Sequence, residues 1–216
     1  MRICVLADEL SRSEFLQKGI PENIEVIWAD TLKILYSVSD VDVFFDLLFN
    51  MDGERIDRLN RLKEKPVFIN AVNDTLKGSL TSFIRINAWP TMLKRDLTEL
   101  AVHEPSQDKI ISAIFKKLGW KYQLVPDIPG MITPRIIAMI VNEAYYALEQ
   151  KVSTKDEIDI AMKLGTNYPL GPFEWSEKIG LKNIYSLLRK LSLTEERYLP
   201  ADLMREETEN ESPVEE

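Results

Sequence analysis

Up to about residue 125 the apolar positions come in short runs separated by charged or turn-forming stretches, and beyond it they recur with helical spacing. In the first part, Arg2–Leu6 reads as a buried strand, residues 11–18 as a small helix and residues 24–28 as a second strand. Residues 41–47 and 66–70 read as further strands, with a charged helix over residues 54–63 between them. Residues 82–87 and Leu97–Val102 continue the sheet, and residues 107–118 give one more helix before a strand at 122–125. Strands alternating with helices predict an α/β fold, an N-terminal parallel sheet of Rossmann-like type.

In the second part, Ile132, Ile136, Ile140, Ala144 and Leu148 recur every four residues beside Ile137, Val141 and Tyr145. That predicts a core helix with a broad apolar face. Thr133 ahead of Pro134 is a start signal, because proline suits the first helical position and threonine can cap before it. Ser153 with Asp156, or Thr154 with Glu157, offers a capping box for the next helix, and Gly165 stands where a left-handed residue would end it. Gly171 lies between Leu170 and Pro172, where a residue before proline is pushed from the helical region and a positive φ would demand glycine. The expected organisation is therefore a sheet domain over residues 1–125, a helical domain over 126–205 and an acidic, disordered tail over 206–216, with no internal repeat.

Composition narrows the classes. A chain of 216 residues, 45% hydrophobic, holds enough apolar material for one large core or two modest ones. One cysteine excludes an internal disulfide, and one histidine beside it makes an ordinary zinc cluster a poor expectation; no metal is predicted. A net charge of −8 argues against nucleic acid, whose phosphates need a basic face. No apolar run approaches the roughly 20 residues of a membrane helix. The opening Met1-Arg2-Ile3-Cys4-Val5-Leu6 runs straight into Ala7-Asp8-Glu9, unlike a secretory signal, so a cytoplasmic protein is expected.

Several ordered phrases carry a resemblance. Pro129-Gly130-Met131-Ile132-Thr133-Pro134-Arg135 is followed by Asn142-Glu143-Ala144, by the run from Asp156 to Gly165, by Pro169-Leu170-Gly171-Pro172 and by Arg197-Tyr198-Leu199-Pro200. Together they closely resemble the C-terminal domain of the 3-hydroxyacyl-CoA dehydrogenases, the family that includes the 3-hydroxybutyryl-CoA dehydrogenases. The resemblance implies an all-α C-terminal domain of the 6-phosphogluconate dehydrogenase C-terminal-like type, a homodimer formed through its helices, and a Rossmann domain binding NAD.

The same resemblance assigns positions at which this chain departs from the family. The glycines of a dinucleotide loop allow a tight turn and close approach to pyrophosphate, but their positions fall on Ala7, Glu9 and Arg12, with Asp8 adding a second carboxylate. A plain turn with Ser11 or Ser13 capping the next helix is the expected alternative, and Arg12 is the one side chain that could reach a phosphate. Asp30 stands roughly where the ribose-binding acid would be, or else is simply a helix-starting residue. The long helical hairpin that helps hold coenzyme A has no room between Asp30 and Val41. The reaction needs a histidine base oriented by a glutamate, with serine and asparagine donors nearby. Glu99 keeps the glutamate, the histidine falls on Ile86 or Asn87, the serine on Val72 and the asparagine on Pro134. His103 is a loop histidine several residues beyond Glu99.

These readings predict a catalytically inactive family member without a bound cofactor, a dimeric scaffold or small-ligand binder for an acyl-CoA-like ligand. Two alternatives stand beside it: an active NAD-dependent 3-hydroxyacyl-CoA dehydrogenase with an unusual site, and a regulatory subunit paired with an intact paralogue.

Overall fold

A computed structural model describes residues 1–62 and 64–210, which fall into two compact units, Met1–Met131 and Ile132–Glu216. The first unit runs β1 (Arg2–Leu6), α1 (Glu9–Gln17), β2 (Glu25–Ala29), α2 (Leu32–Ser37), β3 (Val43–Asp46), α3 (Gly53–Asn60), β4 (Val67–Ile69), β5 (Ile84–Ile86), β6 (Leu97–Val102), α4 (Asp108–Leu118) and β7 (Lys121–Leu124). The strand order is β2-β1-β3-β4-β5-β6-β7. All neighbours are parallel except β5 and β6. The exception has a local cause: residues 87–96 are too few for the crossover that parallel strands require, so β6 returns beside β5 in the opposite direction. The alternating pattern predicted the sheet, but not this reversal or the one-and-a-half-turn helix α2.

Strand alternation sorts the side chains onto two faces. On one, Ile3, Val5, Phe45, Phe68, Ile84 and Ile86 pack against Phe15 of α1 and Phe115 of α4. There Phe45 and Phe68 stack with centroids 4.6 Å apart, and Phe15 meets Trp120 edge-on at 4.8 Å. On the other, Cys4, Leu6, Phe44, Val67 and Ile69 pack against Leu35 of α2 and Ile56 and Leu59 of α3. Further along that second face the inward positions are polar, namely Arg85, Asn87 and Glu99.

The second unit is helical: α5 (Thr133–Glu149), α6 (Lys155–Thr166), α7 (Pro172–Ile179), α8 (Leu181–Ser192) and α9 (Asp202–Asn210). α5 buries Ile137, Ala138, Val141, Ala144 and Tyr145, whereas Ile132 and Ile136 are 40% and 55% exposed. The buried face is thus the Ile137–Val141–Tyr145 stripe rather than the Ile132–Ile136–Ile140 column. Thr133 is the first helical residue, Ile132 standing at the N-cap. Thr154 and Glu157 form the capping box of α6, while Gly165 lies inside that helix and Asn167, at φ 56°, supplies the left-handed end. Residues 206–210, expected in a disordered tail, belong to α9, where Glu207 accepts hydrogen bonds from Tyr145 at 2.7 Å and Lys155 at 2.8 Å. Residues 211–216 lie outside the described residues.

The ordered phrases of this unit turn out to meet one another. Buried Asn142 donates to the Leu199 carbonyl at 2.9 Å and accepts from the Ala201 N–H at 2.9 Å, so the Asn-Glu-Ala phrase clips the segment that follows Arg197-Tyr198. Arg135 donates to the Tyr198 hydroxyl at 3.3 Å and lies over its ring. Asp159 accepts from the backbone N–H groups of Phe173 at 2.8 Å and Glu174 at 3.1 Å. These are orphan donors of the first turn of α7, which Gly171 at its N-cap has no side chain to satisfy.

Gly171 is extended at φ −72°, so positive φ is not what requires glycine there. A Cβ would instead stand 2.3 Å from the Asp159 carboxylate carbon. Gly171→Ala is therefore expected to displace Asp159 from its cap and cost about 1–3 kcal/mol, the range of overpacked sites. Urea denaturation checks this, and an unchanged midpoint would refute the close-approach explanation.

Candidate functional site

In an open sheet the ligand crevice lies beyond the carboxyl ends of the strands, at the point where strand order reverses. Here that point is β1, flanked by β2 and β3, whose ends Leu6, Ala29 and Asp46 stand in register. The loops beginning at Ala7 and Asp30 therefore leave adjacent strand ends, side by side.

The β1 loop closes on itself. Asp8, not Ser11 or Ser13, caps α1: its carboxylate accepts the Ser11 N–H at 2.7 Å. Helix N-termini attract anions because their N–H groups lack partners, and here the chain's own carboxylate is placed there. Arg12 is seated over the Trp28 ring, 4.6 Å from its centroid. Glu9 and Asp30 are exposed. A dinucleotide's pyrophosphate thus meets a side chain where a glycine would let it approach, a capping carboxylate already on the helix end, and an arginine held elsewhere. The residues present do not fit NAD.

Next along the crevice, β3 ends in Asp46, which is fully buried. Arg55 of α3 forks onto it, Nε donating to Oδ2 at 2.8 Å and Nη2 to Oδ1, while the Leu48 N–H also donates to Oδ1 at 3.2 Å. Burial pushes the Asp46 carboxyl above the ordinary carboxylate range, against the pull of the guanidinium. Asn70, after β4, donates to the Leu47 and Ala88 carbonyls at 3.1 and 3.3 Å and accepts from the Ala88 N–H at 3.1 Å, stapling the loops after β3 and β5.

The largest commitment belongs to Arg85, fully buried in the middle of β5. Its Nε donates to the Ala71 carbonyl at 2.8 Å, Nη2 to the Val72 carbonyl at 2.9 Å and Nη1 to Asp127 at 2.5 Å, with the Ile128 carbonyl 3.3 Å from both Nη atoms. Asp127 in turn accepts the Leu76 N–H at 2.8 Å, and the Gly130 N–H donates to Val72 at 2.8 Å. Burial lowers the Arg85 pKa, with Asp127 opposing. Val72, expected at the serine position, is thereby pinned from two sides by its carbonyl, its side chain buried. Residues 126–131 pack with the first unit through these bonds and through Met131, which clusters with Ala101 and Val125.

Beside this clamp, the Asn87 N–H donates to the Glu99 carbonyl at 3.0 Å, extending the ladder that pairs Ile86 with Leu100. Directly opposed residues place their Cβ atoms roughly 4.5–5.5 Å apart. Asn87 is therefore the residue opposite Glu99, while Ile86 points into the core on the other face. Asn87 is 4% exposed, and its Oδ1 has no hydrogen-bond partner among the described residues. Pro134 lies in the first turn of α5 in the other unit, buried. His103 is exposed beside Glu104. No group of three or more metal-ligating side chains occurs among the described residues, and no helix there is long and apolar enough to cross a membrane.

Two functional-looking residues, Asp46 and Arg85, went unread in the sequence. Each had a signal: a lone charge ending or interrupting an apolar strand, as in Val43-Phe44-Phe45-Asp46 and Phe83-Ile84-Arg85-Ile86.

Comparison with known proteins accords with this architecture. Residues 130–213 match the family model described as 3-hydroxyacyl-CoA dehydrogenase, C-terminal domain. The helical unit thus carries the C-terminal domain of the 3-hydroxyacyl-CoA dehydrogenases, and the chain is similar to dehydrogenases of that family. It is 44% identical over 93 residues to 3-hydroxyadipyl-CoA dehydrogenase of Escherichia coli strain K12, covering 42% of this chain and 20% of that protein. It is 37% identical over 127 residues to 3-hydroxybutyryl-CoA dehydrogenase of Bradyrhizobium diazoefficiens, covering 56% and 43%. The aligned segments thus span less than half the length of either relative. In fold it is similar to the crystal structure of (S)-3-hydroxybutyryl-CoA dehydrogenase from Ralstonia eutropha, with TM-score 0.74 and 18% identity over 97% of this chain and 94% of that one.

Arg85→Met leaves Asp127 and several buried carbonyls without their donor. Breaking one side of a buried ion pair costs about 3–5 kcal/mol. Chemical denaturation is expected to show a loss of that size, with protease cleavage appearing first within residues 71–76 and 125–131. Wild-type stability and wild-type cleavage would contradict the clamp.

Proposed function

We propose that this protein is a catalytically inactive member of the 3-hydroxyacyl-CoA dehydrogenase family, a homodimeric scaffold or small-ligand binder in acyl-CoA metabolism. One observation carries the reading. The residue opposite Glu99 is Asn87, an amide with no basic nitrogen to take or return a hydroxyl proton near neutral pH. Glu99 is left without an imidazole to orient. Val72 and Pro134 bring no side-chain donor where the family's serine and asparagine stand, and the self-capped β1 loop supports the absence of NAD. The named relatives are dehydrogenases of hydroxyacyl-CoA substrates, which supports a hydroxyacyl-CoA-like ligand as the class to test.

The decisive assay follows nicotinamide absorbance with acetoacetyl-CoA and NADH. The expected rate equals that of buffer for both the wild type and Asn87→His, since restoring one base leaves the cofactor loop and both donors missing. Turnover by the wild type would establish an active dehydrogenase instead. Co-purification with an intact paralogue would favour a regulatory subunit.

The dimer reading rests on the helical unit. Ile136, Ile160, Leu164 and Leu193 are exposed by 55%, 53%, 83% and 79%, more large apolar side chains than a small helical unit ordinarily leaves in water. Obligate interfaces commonly bury over about 2,000 Å². Light scattering at micromolar concentration is expected to give twice the 24.9 kDa chain mass, and the monomer mass would end the proposal.

A further inference from the structure

A cavity of about 200 Å³ opens where the end of α1 meets the starts of β6 and β7, and it shares no residue with the β1 loop or with Asn87 and Glu99. Lys18, Lys94, Arg95 and Lys121 line it, with Asp96 the one acid, in a chain whose net charge is −8. Four cations around one small concavity repel one another, at a cost on the order of 1 kcal/mol per close pair in water and more near a low-dielectric wall.

The ordinary explanation for such a cluster is compensation of helix C-terminal dipoles, because α1 and α4 both end here. Several carbonyls of their last turns are already satisfied by the backbone. The Lys18 and Gly19 N–H groups donate to Glu14 and Leu16 at 3.2 and 3.0 Å, and those of Gly119 and Trp120 donate to Lys116 and Phe115 at 3.3 and 3.0 Å. Lys94, Arg95 and Lys121 belong to neither helix. Lys18 is itself held in place, its Nζ donating to the Arg95 carbonyl and lying 5.2 Å from the centroid of the Trp120 ring, whose indole N–H donates to Gly19 at 2.7 Å. The ammonium is thereby fixed at the cavity wall with no carboxylate within ion-pair distance among the described residues.

We propose that this cavity is an anion site for a small phosphate-bearing ligand, with Lys18 at its wall and Lys94, Arg95 and Lys121 closing over the phosphoryl oxygens. The volume holds a diphosphate group. Compact ammonium charges suit phosphate. Burial lowers the Lys18 pKa to about 8 despite Asp96, the behaviour of a cation short of counter-charge, and a bound anion supplies that charge.

The test is titration of the full chain with inorganic pyrophosphate, followed by the indole N–H resonance of Trp120 and by calorimetry. A saturable shift is expected with a dissociation constant below about 1 mM, weakened at least tenfold in Lys94→Ala/Lys121→Ala. Both changes are at exposed positions, so the fold should hold, and a wild-type amide spectrum of the variant verifies that. Sodium chloride at matched ionic strength is expected to leave the resonance in place. No saturable shift in the wild type, an equal shift with chloride, or unchanged affinity in the variant each overturns the site. None of those outcomes bears on whether the family's catalytic position is inactive.

Discussion

A guanidinium buried in the middle of a sheet must find acceptors for its donors, and Arg85 finds them in the loops that would otherwise frame an open crevice. Leaving such a cation unpaired would cost several kilocalories per mole. The chain therefore folds the Ala71-Val72 turn, Asp127 and the Ile128 carbonyl around it. Through Asp127 the constraint passes to Leu76, and through Val72 to Gly130. Asp46 with Arg55 satisfies a second buried charge in the same layer, and Asn70 staples the loops after β3 and β5. In this crevice, polar groups that could have faced a ligand face each other.

In the helical unit the same logic reaches a different result. The phrases that carry the family resemblance serve as the unit's internal clips: Asn142 to residues 199–201, Arg135 to Tyr198, and Asp159 to the start of α7 over a glycine that leaves it room. These contacts are needed for folding whether or not any reaction occurs. A chain can therefore keep the family's most legible signature while its catalytic positions change, and fold similarity alone carries no statement about activity.

What was legible in the sequence divides along the range of the interactions. Strand positions and the change from short apolar runs to helical spacing follow from local pattern, and were readable. The direction of β6 was readable too, from the short connection after β5, had loop length been weighed with periodicity. Asp8 stands at a helix start, where aspartate is a preferred cap, so beyond adding a second carboxylate to the loop it fills the anion position itself. The reason for Gly171 could not be read, because it lies in an Asp159 side chain twelve residues away on another helix. Which of Ile86 and Asn87 faces Glu99 was likewise undecided until the ladder register fixed it.

Asp8 caps α1 itself, so a pyrophosphate at the first loop would meet an occupied helix end. Calorimetric titration with NADH tests it most directly, carried out in the Lys94→Ala/Lys121→Ala background so that the basic cavity does not contribute. No saturable binding tighter than about 100 μM, near −5.5 kcal/mol, is expected, with a gain in affinity when Asp8 and Glu9 are both changed to glycine. A dissociation constant below that value with Asp8 and Glu9 in place would contradict it.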